Sequence, residues 1–142
     1  MKNKKTFIFI AVVVIFLVVG GLVDIFFWKI ITVKGKFFIS ELPSTQEDYQ
    51  KGLGGRKNLC RSCAMLFRFP RKGEYTFWMK DMHFDLDILW IADGKIVYIE
   101  KNFSKDSKII VNPGVFADEV LEVNAGTADK YGFGLGTWIE VY

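Results

Sequence analysis

The stretch from Phe7 to Val23 constrains this chain most: seventeen consecutive residues carry no charge and no strongly hydrogen-bonding side chain. At ~1.5 Å rise per residue such a run makes a helix of about 26 Å, close to the ~30 Å hydrocarbon core of a bilayer. Extended to Trp28 it reaches about 33 Å, with Asp24 near the far interface and Trp28 placed as an aromatic anchor. A helix satisfies its backbone internally, as lipid demands. The apolar core of a cleaved signal peptide is usually about 7–15 residues followed by small residues. Here Gly20-Gly21 gives way to Leu22, Val23, Ile25, Phe26 and Phe27. The reading is therefore a basic tail over 1–6, an uncleaved single-pass signal anchor over 7–28, a juxtamembrane linker over 29–32 and a folded body over 33–142. Lysines flank both ends of the run. The short basic tail in front of it places the amino terminus inside and the body on the extracytoplasmic side of the cell membrane.

Charge divides along the same line. Residues 1–36 hold six lysines and one aspartate, whereas residues 37–142 hold 13 basic and 15 acidic residues. The net charge of +3 thus belongs to the anchor and its flanks. The slightly acidic body does not suggest a nucleic-acid partner. Two cysteines cannot build a disulfide-dense scaffold, and a single histidine excludes sites that need two.

Within the body, Val33 to Leu42 reads as a strand. Ser44-Thr45-Gln46-Glu47 reads as a capping box opening a short helix to about residue 51, ended by Gly52, Gly54 and Gly55. Ala64–Phe69 and Tyr75–Met79 flank Pro70-Arg71-Lys72-Gly73 in a strand–turn–strand pattern. Asp93-Gly94, between Leu86–Ile91 and Lys95–Ile99, is a hairpin signal because both turn positions need positive φ. A short strand over 109–111, a half-buried strand over 119–123, a helical turn over 127–131 and a closing strand over 137–142 complete the reading. With no long helix to serve as a crossover, a parallel α/β sheet is disfavoured. The expected fold is mainly β, a mostly antiparallel sandwich or barrel with two short helices behind one transmembrane helix; an α+β arrangement is the alternative.

Chemistry has few anchors here. Cys60-Arg61-Ser62-Cys63 is half a zinc site, a small-loop disulfide or a redox pair, and it lacks the βαβ context of a thioredoxin-like motif. Asp81, Asp85 and Asp87 crowd a segment with Trp78, Lys80 and His83, where the plainer reading is a solvated turn. His83 has no nucleophile motif to serve. Phe67, Phe69, Tyr75, Phe77, Trp78 and Trp90 are core residues or the lining of a groove. No metal site and no cofactor is expected.

Five short motifs in fixed order carry a resemblance. They are Gly52-Leu53-Gly54-Gly55-Arg56, Ala64-Met65-Leu66-Phe67, Phe77-Trp78-Met79-Lys80-Asp81-Met82, Leu86-Asp87-Ile88 and Val120-Leu121-Glu122-Val123-Asn124-Ala125-Gly126. Over residues 33–142 the chain resembles the domain-of-unknown-function 192 family. The resemblance implies a compact, mainly β domain of jelly-roll-like layout, often exported or membrane-tethered, with no established activity. Ala64 stands where that pattern has glycine, Asp85 where it has proline, and Thr137 where aspartate often follows glycine. The motif positions point to a candidate cleft of Arg56, Trp78, Met79, Asp87 and Glu122, in which Arg56 pairs with Asp87 or Glu122. The resulting expectation is a membrane-tethered cell-envelope module that binds a protein or small-molecule ligand. The alternatives are an envelope enzyme or thiol redox protein using Cys60 and Cys63, and a purely structural or assembly role.

Overall fold

The computed structural model describes residues 28–142. The apolar run over 7–27 lies outside the described residues. Among those described, no helix is long and apolar enough to cross a membrane. Nine strands and two short helices follow one another as β1 (Trp28–Val33), β2 (Lys36–Glu41), α1 (Gln46–Lys51), β3 (Cys63–Gly73), β4 (Phe77–Trp78), β5 (Leu86–Ala92), β6 (Lys95–Phe103), β7 (Ile110–Val111), β8 (Ala117–Asn124), α2 (Thr127–Tyr131) and β9 (Ile139–Val141).

Seven strands form one sheet in the order β6-β5-β8-β3-β2-β1-β9, and β4 pairs with β7 in a separate ribbon. Every pair is antiparallel except β2–β3. The sheet curls until its edges approach. Ile139 N donates to Gly94 O at 2.8 Å, and Ile96 N to Thr137 O at 3.0 Å. The result is a half-barrel. The fold is mainly β, as expected; the helices are too short for an α+β layer, and one curled sheet with a covering ribbon replaces two stacked sheets.

Side chains alternate across this sheet. The inner face holds a cluster that includes Ile31, Phe38, Leu66, Leu89, Leu121 and Val123, capped by Ala128 and Phe133 around α2. The outer face holds Met65, Phe67, Ile88, Trp90 and Val120, covered by Leu53, Met79 and Val111 from loops and the ribbon. Because both faces are covered, β5 and β8 are buried almost throughout. This corrects the half-buried reading of residues 119–123.

Other local readings shift for identifiable reasons. Val33–Leu42 is not one strand. Lys34 and Gly35 turn the chain at φ 47° and 73°, making a β1–β2 hairpin. Trp28 and residues 29–32, read as anchor end and linker, are strand β1, paired with both β2 and β9. The capping box sits one residue later than expected: Thr45 Oγ1 accepts from Asp48 N at 3.1 Å, and Asp48 Oδ2 accepts from Thr45 N at 3.0 Å. Pro70 does not end β3. It falls where the pairing with β8 is interrupted, between Arg68 and Gly73, so its missing N–H breaks no ladder. The Asp93-Gly94 hairpin forms with both residues at positive φ.

Candidate functional site

Glu122 lies on β8, opposite Met65 of β3 and Ile88 of β5. It therefore points to the outer face among apolar neighbours, and only 4% of the residue is exposed. Its Oε2 has no hydrogen-bond partner. Burial pushes its pKa up to about 8, against an opposing pull from the nearby Arg56 guanidinium. This carboxyl is mostly protonated at neutral pH and can both donate and accept a hydrogen bond.

The glycine motif forms a lid over this group. Gly52 adopts φ 51°; a Cβ there would lie 3.3 Å from Phe67 Cζ and 3.5 Å from Glu122 Oε2. At Gly54 a Cβ would lie 2.8 Å from Lys51 O and 3.1 Å from Lys80 O. Gly55 N donates to Asp81 O at 2.8 Å. The Gly-Leu-Gly-Gly and Trp-Met-Lys-Asp motifs thus meet backbone to backbone, and the absence of side chains allows the approach.

Beside the lid opens a cleft of about 410 Å³, with Glu122 in its wall. Aromatic rings build its sides. Phe67 meets Tyr49 and Phe77 edge to face at 5.8 and 5.0 Å, and Phe69 stacks on Tyr75 at 3.5 Å. Trp90 closes the packing beneath and donates its Nε1–H to Tyr75 O at 2.8 Å. Trp78 also lines the cleft and is 47% exposed, whereas Met79, its neighbour along the chain, is buried in the core. The aromatic residues singled out in the sequence therefore divide between the two roles considered for them. Phe67 and Trp90 are buried, while Trp78 is half-exposed in the cleft wall, with Lys80 Nζ 5.9 Å from its ring centroid.

The remaining candidates fall elsewhere. Arg56 does not pair with Asp87 or Glu122 but forms a bidentate bridge to Glu41, at 2.6 and 2.8 Å. The Glu41 hydrogen bonds hold the Arg56 pKa above its usual value, offset in part by burial. The bridge fastens the glycine loop to β2. Asp87 precedes Ile88 on β5, so it points to the inner face, away from Glu122. It is fully buried and accepts amide hydrogens from Asn102 (2.8 Å), Gly126 (3.2 Å) and Ala128 (2.7 Å). Asp85 accepts from Lys105 N at 2.8 Å. These two aspartates tie loops down and do not face each other across a site. Cys60 and Cys63 form a disulfide, and Asn124 at the end of β8 donates to Cys60 O at 3.0 Å. His83 is exposed. Among the described residues, no group of three His, Cys, Asp or Glu could hold a metal. Glu41 and Tyr49 gave no sequence signal, because neither belongs to a motif and the fold alone brings them to this region.

The model of a family described as uncharacterised, DUF192, matches residues 29–141. The chain belongs to the DUF192 family. Its match begins within β1, so the DUF192 unit takes in the strand that follows the apolar run. Two crystal structures share the fold. One is a protein of unknown function from Novosphingobium aromaticivorans DSM 12444, 28% identical with TM-score 0.73, covering 80% of this chain and 83% of that one. The other is a Sinorhizobium meliloti 1021 protein described as a candidate transcription regulator, 32% identical with TM-score 0.72, covering 80% of this chain and 91% of that one. No curated protein matches the sequence.

Proposed function

We propose that this DUF192 chain is a membrane-tethered binding module of the cell envelope, with its body on the extracytoplasmic side and its ligand in the Trp78–Glu122 cleft. The observation that carries the reading is an aromatic cleft with half-exposed Trp78 on one side and the buried Glu122 side chain in its wall. Small-molecule sites are concave and mostly apolar with a few polar groups, which is the make-up of this cleft. The apolar run supports the tether. The Cys60–Cys63 disulfide suits an oxidising compartment. Nucleic-acid regulation, which the description of the Sinorhizobium relative suggests for that protein, finds no support in a body with 13 basic and 15 acidic residues.

The tether and the cleft are tested separately. A membrane-impermeant amine reagent should label body lysines in intact cells, and thiol trapping should find Cys60 and Cys63 oxidised. Labelling only after permeabilisation would place the body inside. A photo-crosslinker replacing Trp78 should capture a ligand or partner in intact membranes, and one replacing exposed Leu135, away from the cleft, should not. Equal capture at both positions would remove the cleft from the reading.

A second reading rests on Glu122 alone. A carboxyl whose pKa is about 8 is poised for general acid–base work. Turnover abolished by Glu122→Gln in a folded protein would favour an envelope enzyme over a binding module. The redox alternative requires the cysteine pair to cycle, and a pair found permanently oxidised in cells would end it.

A further inference from the structure

The cover on the outer face of the sheet lies over β3, β5 and β8 and stops short of β1, β2 and β9. There Phe37 is 66%, Ile39 53% and Tyr142 67% exposed, and Trp28 is half-exposed. The register gathers them. Ile30 faces Ile39 on β2, and it exchanges backbone hydrogen bonds of 3.3 and 2.9 Å with Tyr142. Their side chains form one row across three strands. Trp28, two residues before Ile30, and Phe37, two before Ile39, extend the row on the same face. Contiguous exposed apolar side chains mark an interaction surface.

Where β1 begins points to what covers this surface, on the reading that the apolar run before it spans a bilayer. Phe27 is followed at once by β1, with no linker between them. Three residues of extended chain reach at most about 10 Å, and paired strands lie ~4.8 Å apart. Ile30 and Ile39 are therefore held within about 15 Å of the end of the run. That is half the ~30 Å diameter of a small domain, so a globular partner does not fit between this face and the bilayer, whereas lipid is within reach. The chemistry agrees. Trp28 and Tyr142 are of the type that settles at the membrane–water interface. Glu41, opposite Trp28, is already neutralised by Arg56. Glu140, on the same face, accepts from the Tyr142 hydroxyl at 2.7 Å and lies on β9, at the edge of the sheet, where its charge stays in water.

We propose that the outer face of β1, β2 and β9 rests on the phospholipid interface, with Phe37 and Ile39 inserted and Trp28 and Tyr142 at the level of the headgroups. The tether thus fixes the orientation of the body as well as its location.

The test uses the full chain in phosphatidylcholine nanodiscs, with a photo-crosslinker replacing Ile15, Phe37, Phe116 or Tyr142 in turn. Phe116 is as exposed as Phe37 but precedes Ala117, which pairs with Gly73 at the far end of β3 from Cys63, the partner of Ile39. Mass spectrometry should find lipid adducts at positions 15, 37 and 142, and few at 116. Phe37→Thr with Ile39→Thr keeps β-branched residues on an exposed strand face, so the fold should survive, which circular dichroism checks. Loss of two inserted side chains should lower the adduct yield at position 142 about fivefold or more. Equal yields at 37 and 116, or an undiminished yield at 142 in the double variant, would mean that the body is only near the bilayer and overturn the proposal. Crosslinked dimers in place of lipid adducts at 37 and 142 overturn it in favour of a second copy. Lipid at 15 but not at 37 or 142 removes the docking face and leaves the tether standing; lipid at none of the three removes both.

Discussion

Glu122 and Asp87 are buried carboxyls on neighbouring strands, and their surroundings assign them opposite roles. Asp87 faces Val123 in the β5–β8 register and Glu122 faces Ile88, so they point to opposite faces of the sheet. Three amides donate to Asp87, which makes its side chain part of the fold. Asp87→Ala leaves those three donors unpaired and should lower unfolding free energy by about 3 kcal/mol, a loss that urea titration would register. Glu122 has the reverse effect. Its pKa is about 8 in the folded chain, against an ordinary 4.5. Between those values the folded state holds a proton that the unfolded chain has released. Stability contributed by this group is therefore intact below about pH 4.5 and falls as pH rises towards about 8, by up to about 1.4 kcal/mol per pH unit. Glu122→Gln cannot titrate, so its urea midpoint should gain on the parent's steadily across that window and level off above it. Parallel curves for the two proteins would refute the assignment.

At the scale of elements, legibility tracked how local the determinant was. Asp93-Gly94 announced its hairpin because aspartate and glycine are residues that accept positive φ. Lys34-Gly35 did not, since lysine rarely turns a chain and the aromatics on either side read as one strand. The helix start was located to within one residue, because Ser44 and Thr45 are chemically equivalent caps and only the position of Asp48 decides between them. The Arg56–Glu41 bridge could not be read at all, since it spans fifteen residues with no pattern linking them. Part of the cleft was legible: Trp78 and Glu122 stood out as motif positions, but the free Oε2 and the opposite facing of Asp87 required the register. The glycine motif gives a direct test at this scale. Gly54→Ala drives a Cβ to within 2.8 Å of the Lys51 carbonyl oxygen, with the Lys80 carbonyl oxygen 3.1 Å away. Neither backbone atom can swing aside, so the loop must lift from the Lys80–Asp81 segment. The expected cost is about 1–3 kcal/mol. In the same variant, acrylamide should quench tryptophan fluorescence more strongly, because Trp78 loses its neighbouring support. A variant with parent-like stability and quenching would show that the close approach is unimportant.

For the whole molecule, the half-barrel depends on its last strand. β9 adds to the free side of β1, and the residues just before it reach the turn between β5 and β6, so the carboxyl-terminal segment joins the two ends of the sheet order. Ile139 is buried in the inner cluster, together with Ile31, Val33 and Ile96 from the strands that it brings together. The cleft lies on the opposite face, over β3 and β8. Closure and binding should therefore be separable. Ile139→Ala should cost about 2–4 kcal/mol, a large part of a stability that is typically ~5–15 kcal/mol for a domain. Well below its unfolding midpoint, however, the variant should keep parent-like tryptophan quenching and crosslinking through position 78. Removal of residues 137–142 deletes the same side chain, the Ile139–Gly94 and Ile96–Thr137 hydrogen bonds and the β1–β9 ladder. It also uncovers the edges of β1 and β6, which invite pairing with other chains. The truncated chain should lose cooperative unfolding and associate, which denaturant titration and light scattering would detect. If it instead unfolded cooperatively near the parent midpoint, the sheet would be stable without closure, and the half-barrel would owe its shape to the curl of the inner strands alone.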